Sequence, residues 1–461
     1  MIKFKNKKIY GWSKSDYSRC NYLETSNVEQ ITEVFDYAKK NNNTISFRGG
    51  GRSYGDNTLN KDNIVLKYVA KKNIYSFDEL TGEILVSGSC TLKELLKFII
   101  PKGWILNVSP ASQFITIAGA ISNNVHGKNC LVKGYFGDYV EKIEILTPDK
   151  GLLNCTNIEN SELFYSVISG LGAFGIILKT KIKLRKIKTI KINTDINYVR
   201  NINEAVEKSE ILIKNYEFNI GSLNFTRFNN GITDGKIHSS NFTEDVDLKQ
   251  SDSEANFLIY IINYLLLFNK LPIIDKITEY SFSKITSKKI YNTKNIIENY
   301  YSMNFLGDKY LPLYNSFFRN GFIEYQVIFD KEYYLKAIHE IEMLMKNNNY
   351  SSYLSSFKYY KASNEKYIFG LNKNGYCLTL DIPFQKSKKF EIFIRKINEV
   401  TIKYNGQVYF GKTPCVNNQE FKEMYKNYYQ FEKIKKIYDS NFLIVSEMTN
   451  RIFSDVYNYK Y

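Results

Sequence analysis

Three consecutive glycines, Gly49, Gly50 and Gly51, stand between Arg48 and Arg52 in the run Phe47, Arg48, Gly49, Gly50, Gly51, Arg52, Ser53, Tyr54, Gly55, Asp56, Asn57. A run of this kind weakens any helix or strand interior, so it belongs in a turn. The β-prone residues 44–47 just before it predict a strand that feeds the turn. Without side chains, the glycine N–H groups are free to approach an anion closely, the chemistry needed to hold a pyrophosphate. Arg48 and Arg52 add charge and Ser53 a hydroxyl. An ordinary glycine turn is the alternative.

A second segment is rich in small and hydroxyl residues. It runs Ser109, Pro110, Ala111, Ser112, Gln113 and continues from Ile115 through Thr116, Ala118, Gly119, Asn123, Val125, His126 and Gly127 to Asn129. A flat cofactor could pack on such a backbone. A lone histidine such as His126 is more often structural than catalytic, but its small-residue setting favours a role. Residues 170–175 match the G-x-G-x-x-G dinucleotide fingerprint. That fingerprint should follow a strand and open a helix. Here residues 162–168 read as a helix and 176–184 as a strand, so a Rossmann NAD site is rejected.

The net charge of +16 suits anionic partners such as nucleic acid, a phosphorylated substrate or an acidic membrane face. A lysine-rich proteome accounts for it equally well. The lysines are spread along the chain with no zinc or RNA-binding signature, which argues against nucleic acid. Six irregularly spaced cysteines without a CxxC pair read as reduced thiols in a cytoplasmic protein. Three isolated histidines argue against a histidine-built metal site. The N-terminal residues lack an apolar core of signal-peptide length. The most apolar stretch, residues 257–268, is too short to span a bilayer. A buried helix accounts for it, with peripheral contact at the inner face of a membrane as the alternative.

Capping boxes at Ser26–Glu29 and Thr91–Glu94 predict two helix starts, the first helix running to about Lys40 and the second stopping at Pro101. Strands are expected at 64–68 and 83–87. Beyond about residue 186 the glycine density falls. Strands at 218–226, 321–330, 351–360, 376–383 and 407–410 alternate with helices at 332–346 and 389–403. An amphipathic helix is expected at 419–439. The fold class is α+β: a first domain at 1–186, an α+β domain with an antiparallel sheet at 187–406, and a C-terminal segment at 407–461 that returns to the first.

The glycine turn, the Ala-Gly-Ala-Ile segment at 118–121, the His-Gly-Lys-Asn tetrad at 126–129 and the Gly-Ala-Phe-Gly-Ile-Ile run at 172–177 together resemble the vanillyl-alcohol-oxidase-type (PCMH-type) FAD-binding fold. The likeness is greatest to its decaprenylphosphoryl-β-D-ribose oxidase branch. It extends through Gly-Phe-Ile-Glu-Tyr-Gln (321–326), Ser-Phe-Lys (356–358), Leu-Asp-Ile-Pro (380–383) and Val-Tyr-Phe-Gly-Lys (408–412).

The resemblance implies FAD-dependent oxidation of a sugar hydroxyl. Phe47 to Asn57 would wrap the FAD diphosphate. Ala111, Ser112, Thr116, Ala118, Gly119, Asn123, Val125, His126 and Gly127 would line the flavin and adenosine. Ile177 would meet the adenine end and Tyr409 the isoalloxazine. Many relatives attach FAD through a histidine in the glycine turn. Arg52 stands there, so non-covalent FAD is expected. Lys412 is the first choice for the base or hydroxyl anchor, with His126 as substitute base. A lysine serves as base only if burial or a nearby cation lowers its pKa. Tyr54, Gln326 and Lys358 would hold ring hydroxyls or a phosphate, with Cys377 and Thr379 lining the substrate pocket. Mycobacterial members carry a cysteine where Thr379 stands. The branch implies a polyprenyl-phosphorylated pentose and a short-chain reductase partner that completes an epimerisation. Free polyols or aldonolactones are rival substrates. A non-catalytic basic binding protein on a retained flavin fold is the alternative of another class.

Overall fold

The computed structural model describes residues 2–226, 231–244, 292–305, 307–308 and 314–457. The apolar stretch 257–268 lies outside them.

Two larger sheets and a two-stranded pairing of Trp104–Ile105 with Arg185–Lys186 build the first part of the chain. In the first, Lys5–Tyr10 pairs antiparallel with Tyr17–Thr25, while Ile64–Tyr68 lies parallel to both Tyr17–Thr25 and Ile45–Phe47. The helix Val28–Lys40 turns Ile31, Val34, Phe35 and Ala38 into the core at helical spacing. Its N-cap is Asn27, whose side chain accepts from Glu29 N at 2.8 Å. This corrects the expected box at Ser26, because Asn27 is the extended residue (φ −96°) from which the helix departs. The Thr91–Glu94 box forms as expected, with Thr91 N donating to Glu94 Oε2 at 2.8 Å. The second sheet is antiparallel, in the order Ile74–Asp78, Glu83–Ser87, Ile176–Lys183, Val140–Thr147, Gly151–Cys155.

An eight-stranded antiparallel sheet forms the second part. Its order is Thr293–Asn299, Lys191–Val199, Gly231–Phe242, Phe218–Thr226, Ser352–Tyr360, Gly375–Pro383, Phe322–Asp330, Gln407–Val408. Helices Lys331–Asn348 and Lys388–Lys403 pack together along one face, burying Ile338, Ile341, Phe393 and Ile397. The other face is left for the site.

The tail departs from expectation. Two helices, Asn418–Met424 and Tyr428–Tyr438, replace one continuous run. The break falls at Tyr425, an extended residue (φ −128°) whose buried hydroxyl donates to Val408 O at 2.6 Å. Anchoring that ring under the sheet edge leaves it off the helical path. Beyond the second helix, Ile45 N donates to Leu443 O and Val445 N to Ile45 O, which sews the tail to the strand before the glycine turn.

One ion pair in this tail is fully buried. Lys435 Nζ lies 2.7 Å from Asp439 Oδ2, both side chains at 0% exposure. Lys435 also donates to Ile444 O at 2.7 Å and to Ala173 O, while Asp439 accepts from Leu443 N and Ile444 N. Removing one partner strands a buried charge. Asp439→Ala is therefore expected to cost about 3–5 kcal/mol of stability. Chemical denaturation checks this.

Candidate functional site

Residue chemistry and turn geometry together make one long cavity of about 1540 Å³ between the glycine turn and the large sheet. Pockets for single small ligands run about 300–1,000 Å³, so this one has room for a dinucleotide and a second molecule.

The glycine turn leaves no space for side chains. A Cβ on Gly49 would lie 2.3 Å from Thr116 Oγ1, and one on Gly50 would lie 2.3 Å from the Phe114 carbonyl oxygen. Gly51 has φ +63°, the left-handed region that glycine adopts freely. The turn thus packs directly on the 114–116 segment. Thr116 caps the short helix Ile117–Ser122, its Oγ1 accepting from Gly119 N at 3.2 Å. The two sequence-distant segments therefore share one cavity wall.

The two arginines of the turn differ. Arg48 is half-buried at the cavity wall and committed to the protein, donating to Thr58 Oγ1 at 2.9 Å and Tyr10 O at 3.0 Å. Arg52 lines the cavity, its guanidinium 4.8 Å from the Phe114 ring centre. The residues fit a dinucleotide. Four cavity-lining residues, Asn57, Asn123, Ser355 and Asp381, each hold a buried side-chain oxygen without a partner, which a ligand rich in hydroxyls and N–H groups would satisfy.

The wall formed by the large sheet comes from strand alternation. Glu324 and Gln326 are two apart on Phe322–Asp330 and face the same way. Directly opposite them on Gly375–Pro383 stand Asp381 and Thr379. All four line the cavity. Lys412, past the last strand, places Nζ 3.1 Å from Glu324 Oε2 and 3.7 Å from the Tyr54 ring centre. Tyr314 donates its hydroxyl to Asp381 Oδ2 at 2.7 Å. Burial first, then the negative charge of Glu324, pushes the Asp381 carboxyl well above the usual carboxylate range, so Asp381 holds its proton. Burial and the same two carboxyls raise Tyr54, which stays a neutral phenol.

His126 sits deeper. Gln326 Nε2 lies 3.0 Å from both His126 Nε2 and the Tyr360 hydroxyl, and that hydroxyl lies 2.9 Å from His126 Nδ1. With the Gln326 amide donating, His126 Nε2 is the accepting nitrogen. Burial, then Lys358 and Lys412, hold the imidazole well below its ordinary pKa, so it is neutral. Lys358 Nζ lies 5.4 Å from the Tyr360 ring centre, and burial lowers its pKa.

Most of the expected residues line this cavity: Phe47 to Tyr54, Asn57, Ala111, Ser112, Thr116, Ala118, Gly119, Asn123, Val125, His126, Gly127, Ile177, Tyr409, Gln326, Lys358, Thr379 and Lys412. Three do not. Gly55 packs against Pro414. Asp56 turns away into a bidentate ion pair with Arg451 at 2.9 Å. Cys377 lies behind the wall beside Cys130, Tyr135 and Tyr360, its Sγ 3.7 Å from Thr379 Oγ1. Thr379 and Cys377 are two apart on one strand, and of the two only Thr379 lines the cavity.

Glu324, Asp381 and Tyr314 went unassigned from sequence. The two carboxyls sit inside the 321–326 and 380–383 landmarks, and period-two alternation from Gln326 and Thr379 would have found them. Leu171, Gly172, Ala173 and Gly175, from the rejected fingerprint, also line the cavity. The rejection itself stands on context: the helix Ser161–Val167 precedes them and the strand Ile176–Lys183 follows.

His126 is the histidine among the described cavity-lining residues, which include no cysteine. In the glycine turn Arg52 stands where a linking histidine would be, and the turn holds no histidine or cysteine. Acid precipitation is therefore expected to leave all flavin in the supernatant; yellow colour in the pellet would contradict this.

Residues 21–156 match a family model described as an FAD binding domain. The chain is 24% identical over 459 residues to the decaprenylphosphoryl-beta-D-ribose oxidase of Mycolicibacterium smegmatis, covering 97% of each chain. It is 26% identical over 219 residues to the D-arabinono-1,4-lactone oxidase of Debaryomyces hansenii, or 45% of this chain and 37% of that one. It is 24% identical over 177 residues to the L-gulonolactone oxidase of Bos taurus, or 38% and 40%. No helix among the described residues is long and apolar enough to cross a membrane.

Proposed function

We propose that this chain, an FAD-dependent oxidoreductase with a PCMH-type FAD-binding domain, oxidises a secondary hydroxyl of a phosphorylated pentose, most favourably a polyprenyl-phosphorylated one. The observation that carries the reading is Lys412. Its ammonium is held between the glycine turn, through Tyr54, and the large sheet, through Glu324, at the junction of the two halves of one cavity. A hydroxyl placed there meets a fixed cation beside the cofactor region.

Bound FAD supplies, at N5, the acceptor for the carbinol hydrogen with its electron pair. The chain supplies position and charge. Lys412 Nζ donates to the reacting hydroxyl and lowers the cost of its negative charge. Lys358, Lys128 and Arg52, which also line the cavity, suit a phosphate. Gln326, fixed by His126 and Tyr360, lines the cavity where a ring hydroxyl would lie. The mostly apolar wall excludes water. A short-chain reductase that returns the ketone to an inverted alcohol, and contact with a membrane surface that delivers a lipid-linked sugar, fit this reading.

One observation favours a second reading. The Glu324–Asp381 pair beside Lys412 adds carboxyl groups where the sugar would lie. Such a wall suits uncharged hydroxyls, as in a free polyol or aldonolactone, and two relatives are named as lactone oxidases.

Anaerobic mixing with a panel tests both: a farnesylphosphoryl pentofuranose, free pentitols and hexitols, and aldono-1,4-lactones. The proposal expects fastest bleaching of the flavin band by the phosphorylated pentose. Faster bleaching by polyols or lactones supports the second reading. No bleaching by any member points to a non-catalytic flavin-binding protein.

A further inference from the structure

We propose that Glu324, not Lys412, receives the proton of the substrate hydroxyl, and that Asp381 is the partner carboxyl that keeps Glu324 available. This rests on the proposed hydroxyl oxidation and names the base within it.

The argument begins with pairing. Lys412 Nζ lies 3.1 Å from Glu324 Oε2 and over the face of Tyr54. A carboxylate and an aromatic face are both partners suited to an ammonium, and an ammonium has no lone pair to take a proton. Lys412 is thus built as a donor. His126 is also a poor acceptor, since its accepting nitrogen is used by Gln326 and two lysines stand near it. Tyr54 is a neutral phenol. Glu324 is the carboxylate at the fixed cation: it lines the cavity, its side chain is only 7% exposed, and it is paired with Lys412.

The strand register adds the second element. Asp381 stands directly across from Glu324. Two buried carboxyls this close do not both ionise. Lys412 pairs with Glu324, and at Asp381 burial and the charge of Glu324 outweigh the hydrogen bond from Tyr314, so the proton rests on Asp381 and the charge on Glu324. Among the described residues, the charged and titratable groups around Glu324 are Lys412 and Tyr409 from the tail, Tyr54 from the glycine turn, Asp381 from the neighbouring strand, Tyr314 beyond it, and Lys358 and His126 in the same cavity.

The step balances. The O–H bond of the substrate breaks and its proton goes to Glu324. The C–H bond breaks with its electron pair going to the bound FAD, which is reduced. A C=O bond forms, and Lys412 stays charged throughout. Before the step Lys412, Glu324 and Asp381 sum to zero charge; after it they sum to +1, which balances the electrons delivered beside them.

Two measurements test this. The first is anaerobic stopped-flow bleaching across pH, with whichever panel member reduces the wild type fastest. In the wild type the rate rises with pH as the pair passes from two protons to one, the remaining proton staying on Asp381. Glu324→Gln, nearly isosteric, is expected to retain FAD, to slow by about 10²–10⁴-fold, and to lose that pH limb. A Glu324→Gln protein that slows but keeps the wild-type limb has lost only a support for Lys412, which overturns the proposal, as does unchanged speed. If no panel member bleaches the wild type, the oxidation reading falls and takes this inference with it. The second measurement needs no substrate. Infrared spectra of the FAD-loaded protein should show a protonated buried carboxyl at neutral pH that disappears in Asp381→Asn. Loss of that band in Glu324→Gln but not in Asp381→Asn would place the proton on Glu324 and overturn the proposal.

Discussion

Lys412→Ala is expected to bind FAD as the wild type does and to reduce it with substrate about 10³-fold more slowly. The cofactor half of the cavity does not depend on Lys412. The glycine turn, the 114–116 segment and the Ile117–Ser122 helix form without it, and its own backbone is held by Tyr409 O. The substrate half does depend on it. Removing the ammonium leaves Glu324 with a buried charge opposite Asp381, and leaves the substrate hydroxyl without a fixed donor. Both effects act on the reaction more than on cofactor affinity. Rapid anaerobic mixing, with FAD content measured on the same sample, separates the two. Normal turnover would remove Lys412 from the mechanism. Loss of FAD would show that it supports the cofactor instead.

Gly50→Ala is expected to abolish stable FAD binding. The added Cβ would meet the Phe114 carbonyl oxygen at 2.3 Å, far inside contact distance, and a backbone oxygen cannot swing aside as a side-chain tip can. The turn must move away from the 114–116 segment, which pulls apart the two walls of the cofactor region. The neighbouring case differs in degree, since a Cβ on Gly49 would meet the Thr116 hydroxyl, a group that can rotate. Gly50→Ala should therefore bleach the purified protein, while Gly49→Ala retains part of its flavin. The visible spectrum, referenced to protein concentration, reads this directly. A fully yellow Gly50→Ala protein would mean that the turn and the helix cap do not meet around the cofactor.

Local signals in the sequence carried far. Apolar spacing placed the Val28–Lys40 helix, the Thr91 box is formed, and the Phe218–Thr226 strand has its expected bounds. These are decided by nearest neighbours along the chain. The errors arise where distant residues decide. The tail breaks at Tyr425 because its hydroxyl reaches a carbonyl 17 positions away. Asp56 leaves the glycine turn's function because Arg451, nearly 400 positions on, claims its carboxylate. Glu324 and Asp381 become a pair only through strand register. Arg48 illustrates the same limit from the other side: an arginine beside three glycines reads as a phosphate ligand, yet Tyr10 and Thr58 hold it in the scaffold.

The measurement that bears most directly on the account is the flavin content of the folded protein, by absorbance and by extraction. The glycine turn and the Thr116-capped helix, meeting as they do, predict a yellow protein that binds one FAD per chain and releases it on acid treatment. A folded, colourless preparation that fails to take up added FAD would contradict it.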